Sequence, residues 1–404
     1  MAIAKDFFIS NRRRLSEDIH GGIVVVSAYT QFQRGNDAAF NFEQEANFWW
    51  LTGIDAPDWW AIIDGQRAKT WLVAPSVSSS HQIFDGSLPA ETAKLISGAD
   101  DVLTQDAAMA MLRELTRKHS VVHTIGDPAN VEYFDFVLNP APKKLWNSLS
   151  RIFADVQDCQ LQLSKLRAIK QPEEIAAIKK AIKLTVDGFK VVHQKLPELR
   201  YEYEIEAEFN YFFRSHGAAG HAYDPIVASG KNACTLHYDS NQDRLKKSSL
   251  VLMDVGVRLD GYAADITRTY GIGEPTRRQC QVHQAVQSAH QEIIGLLKPG
   301  LAVVDYHSSV DEIMKNALMS LALIDSTNDE EAYRRYFPHA ISHGLGVDVH
   351  DSLGRPTEFL PGMVLTVEPG IYIPLEGIGV RIEDDILITD QGHNNLSKAL
   401  ATSL

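Results

Sequence analysis

Cysteine is scarce in this chain, and Cys159, Cys234 and Cys280 are odd in number and far apart. That excludes a disulfide framework and suits free thiols in a reducing cytosol, each with burial as its ordinary role. Basic residues are outnumbered, giving a net charge of -13, which argues against a nucleic-acid partner because phosphate backbones are held by a basic face. No stretch approaches the ~18 apolar residues that a membrane helix requires. The start, with Lys5 and Asp6 early and Arg12-Arg13-Arg14 followed by Leu15-Ser16-Glu17-Asp18, develops no secretory apolar run. A cytoplasmic protein with neither nucleic-acid nor membrane partners is expected. Several catalytic signatures are missing as well: there is no His-Glu-x-x-His, no Gly-x-Ser-x-Gly elbow and no Cys-x-x-Cys. Gly271-Ile272-Gly273 and Gly377-Ile378-Gly379 lack the third glycine and following helix of a dinucleotide loop. Ser229-Gly230-Lys231 lacks the upstream glycine and the following Ser/Thr of a phosphate loop.

What is present is a large, ordinary core composition, with 45% hydrophobic and 23% charged residues over 404 positions, long enough for two domains. Residues 1–160 alternate short apolar runs with amphipathic stretches, as an α/β domain does. Gly22 to Val26, Thr70 to Val73 and Val121 to Ile125 read as buried strands, and Ala107 to Lys118 as a helix. Trp49, Trp50, Trp59, Trp60 and Trp71 crowd one segment. Core packing explains them most simply; an aromatic surface for a partner subunit or a substrate-channel wall is the alternative. A boundary is expected near Gln160 to Gln171, so that 161–404 forms the second domain. There Pro172, Glu173 and Glu174 suit a helix N-terminus, and Ile175, Ile178 and Ile182 mark one face. Further helices are expected from Tyr203 to Ser215 and from Gln281 to Leu297, the latter stopped by Pro299-Gly300.

Five residues carry the chemistry: Asp254, Asp265, His343, Glu368 and Glu383. Asp254 interrupts Leu250-Val251-Leu252-Met253, Glu368 closes Met363 to Val367, and Glu383 follows Val380-Arg381-Ile382. An ionised carboxylate removed from water costs several kcal/mol unless something neutralises it. Four converging carboxylates would be balanced by two divalent cations, so a binuclear metal site is the economical reading. Asp260-Gly261 suits a hairpin turn, and if Leu259 pairs with Tyr262, Gly256 lies opposite Asp265. Asp254 is then a same-face diagonal neighbour of Asp265, ~7–8 Å away at Cα. Arg381 shares the strand face of Glu383 and is placed to orient a ligand from behind. Taken singly, each residue has a bland explanation, a surface hairpin charge or a satisfied core histidine; the set is what is specific.

These runs resemble the pita-bread metallopeptidase family, which includes methionine aminopeptidase, aminopeptidase P and prolidase. The matching segments are Met253 to Gly256, Gly261 to Thr269, Ser342-His343-Gly344-Leu345-Gly346, Thr366 to Gly370 and Val380 to Asp384. The resemblance implies an α+β pita-bread catalytic domain behind an α/β, creatinase-like N-terminal domain, which Phe48-Trp49-Trp50-Leu51-Thr52-Gly53 resembles. It implies that Asp254, Asp265, His343, Glu368 and Glu383 ligate two metals, with Asp265 and Glu383 bridging. Ser229 to Ala233, Leu236-His237-Tyr238 and the series His339, His343, His350 are similar to the proline-specific branch. Glu43, where a basic residue is common, and Ala340, in place of glycine, depart from its pattern; both bear on substrate fit rather than on the metals.

By the same resemblance, a bridging hydroxide attacks the Xaa-Pro bond with Glu368 as general base. His237 and His350 assist the oxyanion or leaving nitrogen, while His339 and Tyr372 line the pocket. Carboxylate-rich ligation with one imidazole suits Mn2+, with Co2+, Zn2+ and Fe2+ compatible. The partners implied are short proline-containing peptides, and a homodimer or homotetramer is expected. Aminopeptidase P is favoured over prolidase; Arg355 is the candidate cation that would clamp a dipeptide carboxylate. A pita-bread domain kept only as a protein-binding module is the remote alternative, disfavoured because all five ligands stand.

Overall fold

A computed structural model describes residues 3–127 and 137–404. It divides into two compact units, Met1–Leu166 and Arg167–Leu404; the break falls within helix Gln160–Ala168.

The first unit is α/β. Strands β1 (Ile23–Ser27), β2 (Trp60–Asp64), β3 (Lys69–Val73), β4 (Asp101–Leu103), β5 (Val121–Thr124) and β6 (Asp155–Asp158) form one mixed sheet in the order β4-β3-β2-β1-β5-β6. Helices Gln105–Leu115 and Pro140–Leu149 pack on it through Ala108, Leu112, Leu115, Leu145 and Leu149. Trp50 and Trp59 are buried, and Trp60 and Trp71 pack partly against the sheet core, so core packing accounts for most of the tryptophan cluster.

The second unit is α+β. Strands β7 (Gly220–His221), β8 (Ile226–Ser229), β9 (Ser249–Val255), β10 (Val257–Leu259), β11 (Tyr262–Ala263) and β12 (Ile266–Ile272) come first. They are followed by β13 (Val364–Val367), β14 (Gly370–Ile373), β15 (Ile378–Arg381), β16 (Asp384–Thr389) and β17 (Gly392–Asn395). All their pairings are antiparallel. Asp260 and Gly261 both take positive φ at the hairpin tip, and Leu259 pairs with Tyr262. That register runs on through Val255–Ile266 and Asp254–Thr267, the alignment the Asp-Gly turn predicts. Helix Pro172–Lys195 begins where Glu174 accepts the Gln171 N–H at 2.9 Å. It buries Ile178 and Ile182, with Ile175 half-buried at its edge. Helix Arg277–Leu296 starts four residues earlier than its apolar pattern suggests. Thr276 and Gln279 form a reciprocal capping box of 3.2 and 2.8 Å there. This helix and Val303–Ser320 cover the backs of β13–β16 in one apolar core. No helix among the described residues is long and apolar enough to cross a membrane.

His283 and His290 lie in that helix, 3% and 2% exposed, and both nitrogens of His290 are buried without a hydrogen bond. Burial pushes both imidazoles down to about 4. Below pH ~6.5 the unfolded chain protonates them while the folded chain does not. Stability is therefore fully present above that pH and drains away as pH falls toward 4, on the order of 3 kcal/mol per group. Urea midpoints measured from pH 7 to pH 5 should fall more steeply for the natural chain than for a His283→Gln/His290→Gln variant. Equal slopes would show that these histidines are not the cause.

Candidate metal centre

Period-two alternation decides which side chains face the centre. Leu365 and Val367 of β13 enter the core beneath the helices, which turns Thr366, and Glu368 beyond it, to the other face. Ile378 and Val380 of β15, then Ile382, do the same for Gly379, Arg381 and Glu383. Thr267 of β12 stands opposite Asp254 of β9, and Asp265 precedes it by one alternation. His343 is brought in by the loop before β13: its N–H donates to Thr366 Oγ1 at 3.2 Å, and Thr366 N–H to its carbonyl at 2.9 Å.

The five expected residues converge. Asp254, Asp265 and Glu383 offer oxygen atoms within 4.8 Å of one another, and so do His343, Glu368 and Glu383 with their donor atoms. Glu383 belongs to both groups, and a third group joins Asp265, His343 and His350. His343 Nε2 lies 3.4 Å from Asp265, 3.6 Å from Glu368 and 4.0 Å from Glu383. Its Nδ1 donates to the Gly344 carbonyl at 3.0 Å, which leaves the Nε2 lone pair toward the carboxylates in the neutral ring.

The electrostatics match a cation site. Asp254, Asp265 and Glu383 are 8%, 5% and 2% exposed. Burial, then the neighbouring carboxylates, raise the proton affinity of Asp265 and lift that of Glu383 well above the usual range. Burial moves Glu368 up to about 7, against the pull of His343 and Arg381. At His343 burial opposes protonation, but the hydrogen bond to Asp265 and the charges of Glu368 and Asp265 prevail and raise it to about 9. Such a field favours divalent cations, and hard oxygen donors with one imidazole fit them.

Supporting residues surround the set. Tyr223 donates to Asp254 Oδ1 and Asp265 Oδ1 at 2.5 and 2.6 Å. Thr267 Oγ1 donates to Glu383 Oε2 at 2.7 Å. Arg381 donates to Asp254 (2.5 Å), to Thr267 Oγ1 (3.2 Å) and to the Tyr372 hydroxyl (2.9 Å). His339 Nδ1 faces the Ala340 carbonyl at 2.7 Å and must donate to it, so its Nε2 accepts from Tyr372 at 2.8 Å. Burial, then Arg381, lowers His339 to about 3. The His350 ring lies tilted against His343, 4.2 Å from ring centre to ring centre. Although it is solvent-exposed, desolvation of its site-facing side, then the charge on His343, brings it down to about 4. His237 is exposed but close enough to act electrostatically on both His339 and His350. Arg355 is exposed at φ +54 and takes no part in the site's hydrogen bonds or ion pairs. Tyr223 and Thr267 were not singled out by sequence. Thr267 shares the strand phase of Asp265 and was open to the same alternation argument, whereas nothing local marks Tyr223.

The model of metallopeptidase family M24 matches residues 176–390, and that of the aminopeptidase P N-terminal domain matches residues 8–123. A Xaa-Pro aminopeptidase of Escherichia coli (strain K12) is 31% identical over 433 residues, covering 98% of this chain and 96% of its own length. The structure of E. coli aminopeptidase P in a low-pH form superposes with a TM-score of 0.87 at 29% identity, over 100% of this chain and 97% of that one. The same enzyme with the inhibitor Pro-Leu gives 0.85 at 29% identity over the same shares. With its five donors converged in the M24-matching region, the chain is a metallo-exopeptidase that belongs to metallopeptidase family M24 and carries the aminopeptidase P N-terminal domain.

Proposed function

We propose that this protein is a Xaa-Pro aminopeptidase, releasing the N-terminal residue that precedes proline from short peptides. The observation that carries this is the pair of donor groups sharing Glu383, with His339, His350 and His237 gathered beside them. The bond before proline is a tertiary amide without an N–H, so an enzyme that depends on that donor handles it poorly. Asp254, Asp265, His343, Glu368 and Glu383 would hold two divalent cations, most suitably Mn2+, with Glu383 common to both donor groups. When bound, the cations polarise the scissile carbonyl and lower the pKa of water.

The chain's own groups do the rest. Glu368, beside His343 at 3.6 Å and His339 at 3.6 Å at the edge of the donor set, is placed to take the proton of the attacking water and return it. His350 and His237 border the donor set as hydrogen-bond donors for the developing oxyanion or for the leaving nitrogen. Arg381 fixes the carboxylate of Asp254 by hydrogen bonding and, through Tyr372, the ring of His339. His339 and Tyr372 would form the wall against which proline rests.

The relative crystallised with Pro-Leu accepts a ligand whose proline is followed by another residue, which favours aminopeptidase P activity over prolidase for this chain. Hydrolysis of Xaa-Pro-Yaa and Xaa-Pro peptides with added Mn2+ tests it: cleavage confined to the dipeptide would replace the reading with prolidase, and Arg355 would be the clamp to examine. The three free thiols fit a cytoplasmic setting. A homodimer or homotetramer belongs to the same reading, and light scattering at micromolar concentration decides it.

A further inference from the structure

His350 presents a positioning problem that its own contacts do not solve. It is exposed, its ring makes no hydrogen bond among the described residues, and its one ring contact is the tilted one with His343. Yet an acid-base or oxyanion partner must be held to within about 1 Å to be effective. The restraint lies one residue on, at Asp351. Its side chain is 3% exposed and is gripped by Arg167 at 2.9 Å and by Lys170 at 3.5 Å, whose side chain is wholly buried. Arg167 also reaches Asp348 at 3.3 Å.

Backbone geometry transmits this grip. Asp351 pairs with Gly344 as an antiparallel bridge, its N–H donating to the Gly344 carbonyl at 2.8 Å. In that antiparallel register the residues just before each of them, His350 and His343, are same-face diagonal neighbours, near enough for their rings to meet. Gly346 completes the fit: a Cβ there would lie 2.0 Å from Asp351 Oδ2 and 3.2 Å from Lys170 Cε, so only glycine lets the carboxylate in. The cations come from the start of the catalytic unit, 181 residues upstream in the Arg167–Asp348 pair, and their ion pairs are with Asp348 and Asp351. From these observations we infer that Asp351, clamped between Arg167 and Lys170, is a positioning residue that holds His350 against His343 for catalysis. The inference rests on the Xaa-Pro aminopeptidase reading for what His350 does, but not for where it is held.

The experiment is a double-mutant cycle on the full chain with added Mn2+, read together with the place of the His350 ring. Asp351→Asn should lower kcat about 10–100-fold, the range of lost outer partners, with KM and metal content nearly unchanged. In a His350→Ala background the same change should cost less than about 2-fold, because its target is already gone. Equal losses in both backgrounds would overturn the inference. Lys170→Met, which leaves Arg167 on Asp351, is the milder second variant should Asp351→Asn not fold, and it carries the same expectations. A crystal structure of either variant, with or without metal, should show the His343–His350 ring contact opened beyond its 4.2 Å; an unmoved ring would refute the anchor whatever the activity. Absence of Xaa-Pro-Yaa hydrolysis by the natural chain would instead count against the functional reading, and the ring position would still decide the anchor.

Discussion

Asp265→Ala and Glu383→Ala are expected to abolish peptidase activity and to lower bound metal, with Asp254→Ala and His343→Ala behaving alike. Each removes a donor from one of two three-residue groups that share Glu383, the donor atoms of each group lying within 4.8 Å of one another. The same geometry makes a second, opposite prediction for stability. Asp265 and Glu383 are buried among other carboxylates, a costly arrangement unless cations compensate it. Glu383→Gln keeps an acceptor for Thr267 and removes one negative charge. Without metal, this variant should melt higher than the natural chain. With Mn2+ the order should reverse, because metal stabilises only a fold that binds it. Thermal melts with and without chelator, beside metal content by elemental analysis, provide the test. Full activity and unchanged metal in any of the four alanine variants would sink the assignment of the centre.

Much of this centre was legible in the sequence because strands are unforgiving of charge. Asp254 and Glu383 announced themselves as carboxylates among buried valines, isoleucines and leucines. The Asp260-Gly261 turn set a register that placed Asp254 and Asp265 together, and period two turned Arg381 to the face of Glu383. Helix starts were less visible: Thr276 and Gln279 open their helix with a polar capping box, while the apolar periodicity begins only beyond it. The least legible contacts join residues with no shared period. Tyr223 reaches Asp254 and Asp265 across 31 and 42 residues, from a segment without regular structure. Arg167 and Lys170 read as ordinary charges at a helix end and a linker, and only the fold buries them on Asp351. Sequence pattern reports what one element needs for itself; it carries little about what a distant element will ask of it.

His350→Ala and His237→Ala separate chemistry from ligation, and each is expected to fold, to bind metal and to lose ~10²–10⁴-fold in turnover. Their motivation differs from that of the ligand variants. His237 is exposed and lies in none of the donor groups. His350 is grouped with Asp265 and His343, so it is the one whose ligand role needs excluding. Desolvation, then the charge on His343, lowers the proton affinity of His350, which disfavours a cationic ring that could compensate the carboxylates. Its truncation should therefore leave the charge balance of the centre intact. The loss should fall on kcat rather than on KM, the mark of an interaction made chiefly in the transition state. Metal content by elemental analysis and kcat on a Xaa-Pro-Yaa peptide, measured on the same preparations, separate the two roles. Should His350→Ala shed a metal ion while the five donors are intact, His350 is a sixth ligand. In that event the proton and oxyanion work passes to His237.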